Sequence, residues 1–143
     1  MSNGISVLKR TGDTEPLNLE KVHRMVEDAC RGLAGVSASA VEMNSGLQFY
    51  DGIETNDIQE ILVRSANDLI TLENPNYQFV AARLLLFGTR KQAFHKDIWT
   101  KGMPHLYDVV VYNATINKVY DEEILDKYTE EEWDILNNYI DHD

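Results

Sequence analysis

Cations are scarce in this chain, so their placement carries information. The 143 residues hold 13 Lys and Arg against 24 Asp and Glu, a formal net charge of −11. Yet Lys9 and Arg10 stand side by side just before Thr11-Gly12-Asp13-Thr14, and Lys21 follows closely. Three cations in so short a span can converge on one anion. The plain alternative is a solvated turn with charged edges. Lys21 falls one turn into the next helical pattern, where a cation opposes the helix dipole at a small cost that a nearby anion would offset. Lys91 comes four residues after Phe87, seven after Leu84 and eleven after Val80, so it continues an apolar helical face. Such a lysine can snorkel to water or point into a pocket and neutralise phosphate. Thr55 is placed to cap a helix, beside free backbone N–H groups and a positive dipole end, which suits phosphate without a glycine-rich loop. A Thr cap is by itself commonplace. No Walker-type sequence exists, so a P-loop NTPase is rejected.

The catalytic inventory is thin. His23, His95, His105 and His142 lack metal-ligand spacing, and His23 reads as a surface or packing residue. Cys30, the one cysteine, lies on an apolar stripe; a lone cysteine excludes an internal disulfide framework or a cysteine-based zinc site and suits a reducing cytoplasm. Glu130-Glu131-Glu132 reads as a helix start. No nucleophile and base pair stands out. The longest apolar run, residues 79–87, is short and broken by Arg83, so no membrane span is expected. No apolar stretch of the signal-peptide kind follows Lys9-Arg10. Residues 1–95 carry 9 Lys and Arg against 12 Asp and Glu, whereas residues 96–143 carry 4 against 12. This balance disfavours nucleic acid, which needs a broad basic surface, and leaves room for a compact anion site in the front part.

The elements that must position these residues follow from periodicity. Ile5 to Arg10 alternates as a short strand, Gly12 suits the turn, and Glu15-Pro16-Leu17 returns as an edge strand where proline is tolerated. Asn18 is a good N-cap for a helix with Val22, Met25, Val26, Ala29, Cys30 and Leu33 on one face, ended by Gly32 or Gly35. Ser39 and Glu42 suggest a capping box for a second helix running to Tyr50. Thr55 then opens a third, with Ile58, Ile61, Leu62, Ser65, Ala66 and Leu69 as its buried stripe. Pro75, after Asn74, opens a fourth, which is apolar nearly all round from Phe79 to Phe87 and therefore expected to be central. Lys96 to Pro104 reads as a connector. Leu106 to Asn117 is helical despite its three valines, Asp121 caps a short helix to Lys127, and Thr129 with Glu132 forms a capping box for a last helix.

A hairpin carrying Val-x-Lys-Arg-x-Gly, then Asn-Leu-x-Lys, then a helix resembles the ATP-cone region of ribonucleotide reductases, most closely the large subunit of the class I (Ia) enzymes of phages and bacteria. The segments VLKRTGDTEPLNLEKVHR, QFYDGIETNDI, NPNYQFVAARLLLFGTRKQAF, LYDVVV, YDEEILDKYTEEEW and YIDHD carry the resemblance across nearly the whole chain. It implies a mainly α fold: a helical bundle capped by a small N-terminal hairpin or three-stranded sheet, with a third strand near Ile53-Glu54. Residues 1–95 would form the cone. Residues 96–143 would be the helical lead-in to an α/β barrel that this chain lacks, making it a cut piece or one part of a split subunit, unable to reduce nucleotides alone.

By this resemblance the effector is ATP or dATP, with magnesium, and the chain holds no redox cofactor. Lys9 and Arg10 would meet phosphates, with Lys91 closing from the fourth helix and Thr55 adding a contact. Glu15 and the backbone of Pro16, Leu17 and Asn18 would hold adenine, Lys21 would sit beside the sugar-phosphate, and Val7, Gln59 and Phe87 complete the set. Implied partners are the remainder of the large subunit and the radical-generating small subunit. A docking module that no longer binds nucleotide, and a standalone nucleotide-responsive regulator, are the other readings. Family members strongly inhibited by dATP commonly carry histidine where this chain has Gln59 and Gly88, so activation by ATP is better supported than inhibition by dATP.

Overall fold

The computed structural model describes residues 4–94 and 102–141. The expected connector falls largely outside them, as do His95 and His142. Contacts divide the chain into two units, with the boundary after Gly88.

In the first unit, β1 (Ser6–Leu8) and β2 (Thr14–Pro16) form the expected hairpin, pairing Ser6 with Pro16, Val7 with Glu15 and Leu8 with Thr14. Its turn closes through Lys9 N–H to the Asp13 carbonyl at 2.8 Å and Gly12 N–H to the Lys9 carbonyl at 2.9 Å. Gly12 supplies the φ of +89° that a side chain would resist. β3 (Ile53–Glu54) lies parallel to β1, so the sheet order is β2-β1-β3 and proline-bearing β2 is an edge. Asp51 fastens this pairing by accepting from the Ser6 N–H at 2.8 Å and the Ser6 hydroxyl at 2.5 Å. Those bonds to Ser6 hold the Asp51 carboxyl below its usual range.

Helix α1 (Leu19–Cys30) starts at Asn18, whose side chain accepts from the Lys21 N–H at 3.1 Å. Helix α2 (Ala38–Gly46) is shorter than its sequence pattern suggests and is capped by Ser37, not Ser39. The Ser37 hydroxyl accepts from Ala40 N–H, while its own N–H donates to the Tyr77 hydroxyl at 3.0 Å. A tertiary anchor therefore accompanies the cap at Ser37, although Ser39 has the local capping-box sequence. Helix α3 spans Thr55–Asp68 and α4 spans Tyr77–Phe94. Pro75 does not begin α4; it opens a tight turn in which Gln78 N–H donates to the Pro75 carbonyl, and regular helix starts two residues later.

The core joins Val7 and Ile53 of the sheet to Val26, Ala29, Val41, Ile58, Leu62, Ala66, Val80 and Leu84 of the four helices. Leu62, Ile53 and Leu84 are fully buried, each contributing about 1.5–3 kcal/mol of apolar transfer. The expectation that α4 is enclosed on all sides is corrected: Tyr77, Val80, Ala81 and Leu84 face the core, whereas Phe79, Leu85 and Leu86 are exposed. Arg83 explains part of the geometry, since its guanidinium donates to the carbonyls of Ala29 (3.1 Å) and Arg31 (2.8 Å) at the end of α1, where a cation is favoured.

In the second unit, α5 (Leu106–Thr115), a 3-10 helix (Glu122–Asp126) and α6 (Glu130–Tyr139) surround Trp133, which is 4% exposed. Tyr107 and Tyr128 meet its ring edge-on at 5.5 and 5.4 Å. Asp121 caps the 3-10 helix and Thr129 with Glu132 forms the capping box, as the local sequence dictates. His105 caps α5 through Nδ1, which accepts from Tyr107 N–H at 3.0 Å, and its Nε2 meets Asp134 at 2.8 Å. No helix of the described residues is long and apolar enough to cross a membrane.

Candidate nucleotide site

The register of the sheet brings two distant segments together. Leu8 pairs with Glu54, so the end of β1, where Lys9 and Arg10 follow, meets the start of α3. The Thr55 hydroxyl donates to the Leu8 carbonyl at 3.4 Å. Arg10 donates to the Asn56 side-chain oxygen at 2.7 Å, and Lys9 pairs with Glu15 across the hairpin at 2.8 Å.

Thr55 is not the N-cap. Glu54 holds that position in extended geometry, and its side chain makes no capping bond. The reason is the direct passage from strand to helix: the ladder runs to Glu54, leaving Thr55 as the first helical residue with its hydroxyl turned to β1. The first-turn amides of α3 thus begin without a side-chain cap, and such amides form an anion-attracting end. Asp57 supplies the acidic residue that favours that same end.

The other residues expected at this site occupy three surroundings. Val7 is buried in the core beneath the hairpin, and Leu17 is half-buried with its N–H on the Ile5 carbonyl at 2.8 Å. Pro16, Asn18 and Lys21 are exposed along the return of the hairpin into α1. Gln59, one turn into α3, reaches α4: its amide donates to the Leu84 carbonyl, and its side chain fills the space beside Gly88. Phe87 is partly buried against the core. Lys91 is exposed near the end of α4 and counts with the second unit. Asn56 was not singled out from sequence; its position after Thr55 in a helix-opening turn was the available signal.

Chemically, the arrangement sets two cations, one hydroxyl and an uncapped helix start around one end of a small sheet. This can hold a compact polyanion. It offers no nucleophile with an adjacent base, and among the described residues no group of three or more His, Cys, Asp or Glu is placed to hold a metal ion. The Cys30 thiol is pushed up by burial, which makes it a poor nucleophile.

The ATP cone domain model matches residues 5–92. The chain is 46% identical over 143 residues to the ribonucleoside-diphosphate reductase subunit alpha of Haemophilus influenzae, covering 99% of this chain and 18% of the relative. It is likewise 46% identical to the ribonucleoside-diphosphate reductase 1 subunit alpha of Escherichia coli, over 100% of this chain and 18% of that subunit. The Helicobacter pylori (strain 26695) subunit alpha is 34% identical over 95% of this chain and 18% of its own length. The chain therefore spans about a fifth of the curated relatives it matches, and corresponds to their N-terminal region. With its small three-stranded sheet, helical bundle and matched motif, the chain belongs to the ATP-cone domain family, and it is similar to the N-terminal region of ribonucleoside-diphosphate reductase alpha subunits.

Proposed function

We propose that this chain binds ATP or dATP as an allosteric effector and sets the activity of a ribonucleoside-diphosphate reductase that supplies deoxyribonucleotides for DNA synthesis. The observation that carries this reading is the meeting of Arg10 with the uncapped start of α3, with Lys9 next to it at the end of β1. Lys9, Arg10 and Thr55 take the phosphates, and the first-turn amides of α3 add their dipole. Glu15 and the backbone of residues 16–18 receive the adenine, with Lys21 beside the sugar-phosphate. Lys91 joins through the family resemblance. The described residues suit the phosphates but offer no cage for magnesium, which would travel on the triphosphate oxygens. The effector-bound cone would act through the remainder of an alpha subunit and a radical-generating partner subunit.

A second reading has one observation in its favour. Lys9 and Arg10 already have protein partners, Glu15 and Asn56, as they would in a docking module that has lost its nucleotide. Both pairs are exposed, and surface ion pairs contribute only about 0–1 kcal/mol, so either can yield to a triphosphate. Isothermal calorimetry of the purified chain with ATP and with dATP separates the readings. Saturable binding of one nucleotide per chain is expected; heats equal to dilution for both nucleotides would leave the docking reading standing.

A further inference from the structure

Gly88 lies on α4 with Gln59 of α3 packed into the space its side chain would take. A Cβ at Gly88 would stand 2.9 Å from Gln59 Cγ, closer than real Cβ atoms come, and 3.3 Å from Cδ, a tight contact. The Gln59 Nε2 donates to the Leu84 carbonyl, four residues before Gly88 on the same helix. Only the NH2 end of the amide can serve a carbonyl oxygen, so the chemistry sets the orientation of the amide. Gln59 and Gly88 are each partly shielded from water, and Leu84 is fully buried. There a displaced donor loses its partner without full access to water.

We infer that Gly88 and Gln59 act as one clasp, and that Gly88 is a positioning residue for the site proposed above. The missing side chain admits the glutamine, and the hydrogen bond from its amide NH2 to the Leu84 carbonyl holds α3 at a set distance from α4. Thr55 lies one turn before Gln59, with Asn56 between them, and Asn56 holds Arg10 at 2.7 Å. A shift of α3 against α4 therefore reaches the hairpin cation through one rigid helix. The functional half of this inference rests on the nucleotide-binding reading; the clasp itself does not.

The test is urea unfolding and ATP calorimetry on the full chain for Gly88→Ala, Gln59→Ala and the double variant. Helix propensity alone makes Gly88→Ala raise the folding constant about five-fold. The clasp predicts the reverse, a lowered urea midpoint, because the new methyl evicts Gln59. In the double variant the clash is gone, so its midpoint should exceed that of Gln59→Ala. ATP affinity should fall about five-fold or more in Gly88→Ala and should not recover in the double variant, a split between stability and binding that a purely structural role would not produce. A Gly88→Ala chain that gains the whole propensity increment overturns the clasp. An intact stability pattern with unchanged ATP affinity in Gly88→Ala overturns the positioning role. If the unmodified chain binds no ATP, the nucleotide reading fails, and the unfolding cycle alone decides the clasp. Should Gly88→Ala fail to fold, recovery of folding in the double variant supports it and continued failure counts against it.

Discussion

Replacing Lys9 by alanine should weaken ATP binding about ten-fold or more while leaving the fold nearly untouched. In the free protein Lys9 is paired with Glu15 at 2.8 Å, with the two side chains 46% and 50% exposed. An exposed pair of this kind contributes at most about 1 kcal/mol to stability, so its loss barely moves unfolding. A charged hydrogen bond to phosphate is worth about 1.5–3 kcal/mol, and moving Lys9 off Glu15 costs at most about 1 kcal/mol. Deleting Lys9 removes the phosphate contact and leaves the Glu15 carboxylate unneutralised near the incoming anion, which adds to the loss. Since 1.4 kcal/mol is a factor of ten, the dissociation constant should rise by about one order of magnitude or more. Raised salt should weaken binding in the unmodified chain and do so less in the variant. Lys91→Ala should show a loss of similar size if the helix-borne lysine joins the phosphates. The assay is calorimetry at two ionic strengths, with urea unfolding as the control. Unchanged ATP affinity in both Lys9→Ala and Lys91→Ala would refute the reasoning.

Three further outcomes are expected. Supplied with the radical-generating subunit and a reductant, this chain alone should show no ribonucleotide reduction, because it has one partly buried cysteine; measurable turnover would contradict this. In a complete enzyme containing this cone, dATP should bind the same pocket yet inhibit poorly, since Gln59 is engaged with α4 and a ligand shifts an equilibrium only by its differential affinity for the two states; full shutdown at low dATP in an activity titration would count against it. His23 presents Nδ1 to Glu42 at 2.6 Å and Nε2 to Glu27 at 3.1 Å, so both ring nitrogens can donate only when the ring is charged. The Glu42 hydrogen bond and charge, aided by Glu27, raise its pKa above 6.5. Its stabilising effect is therefore full below the unfolded value and lost as pH rises through the folded one. Urea midpoints measured across this window should converge between the unmodified chain and His23→Ala as pH rises, and parallel curves would exclude the linkage.

What the sequence revealed was governed by range. Asn18, Asp121 and Thr129 were recognisable as caps because each bonds within two or three residues, so neighbouring letters contain the whole interaction. Ser37 was missed because the anchor that accompanies it, Tyr77, lies forty positions away. Thr55 was misassigned because the ladder from Leu8 reaches Glu54, which no local pattern records. The exposed side of α4 was misjudged because an apolar residue states its solubility and not its surroundings. Lys9 and Arg10 were conspicuous by charge, whereas Asn56, the partner of Arg10, carried no such mark. Gly88 stood out only as a position without histidine; that Gln59 occupies its place is a tertiary fact, and a glycine reads as an absence until that side chain is known.

The parallel pairing of β1 with β3 also shapes how this unit must assemble. The hairpin can close locally, but Val7 cannot meet Ile53 until the intervening chain, with α1 and α2, has folded back. Loop-closure entropy is therefore spent before the parallel ladder gives any return. Only two residue pairs make up that ladder, and the Arg10–Asn56 and Thr55–Leu8 bonds beside it are similarly long-range. The seam between the hairpin and α3 is thus expected to form late and open early. A ligand gripping both sides would act as a rivet, slowing local opening and hydrogen exchange at the strand ends far more than in the helical core.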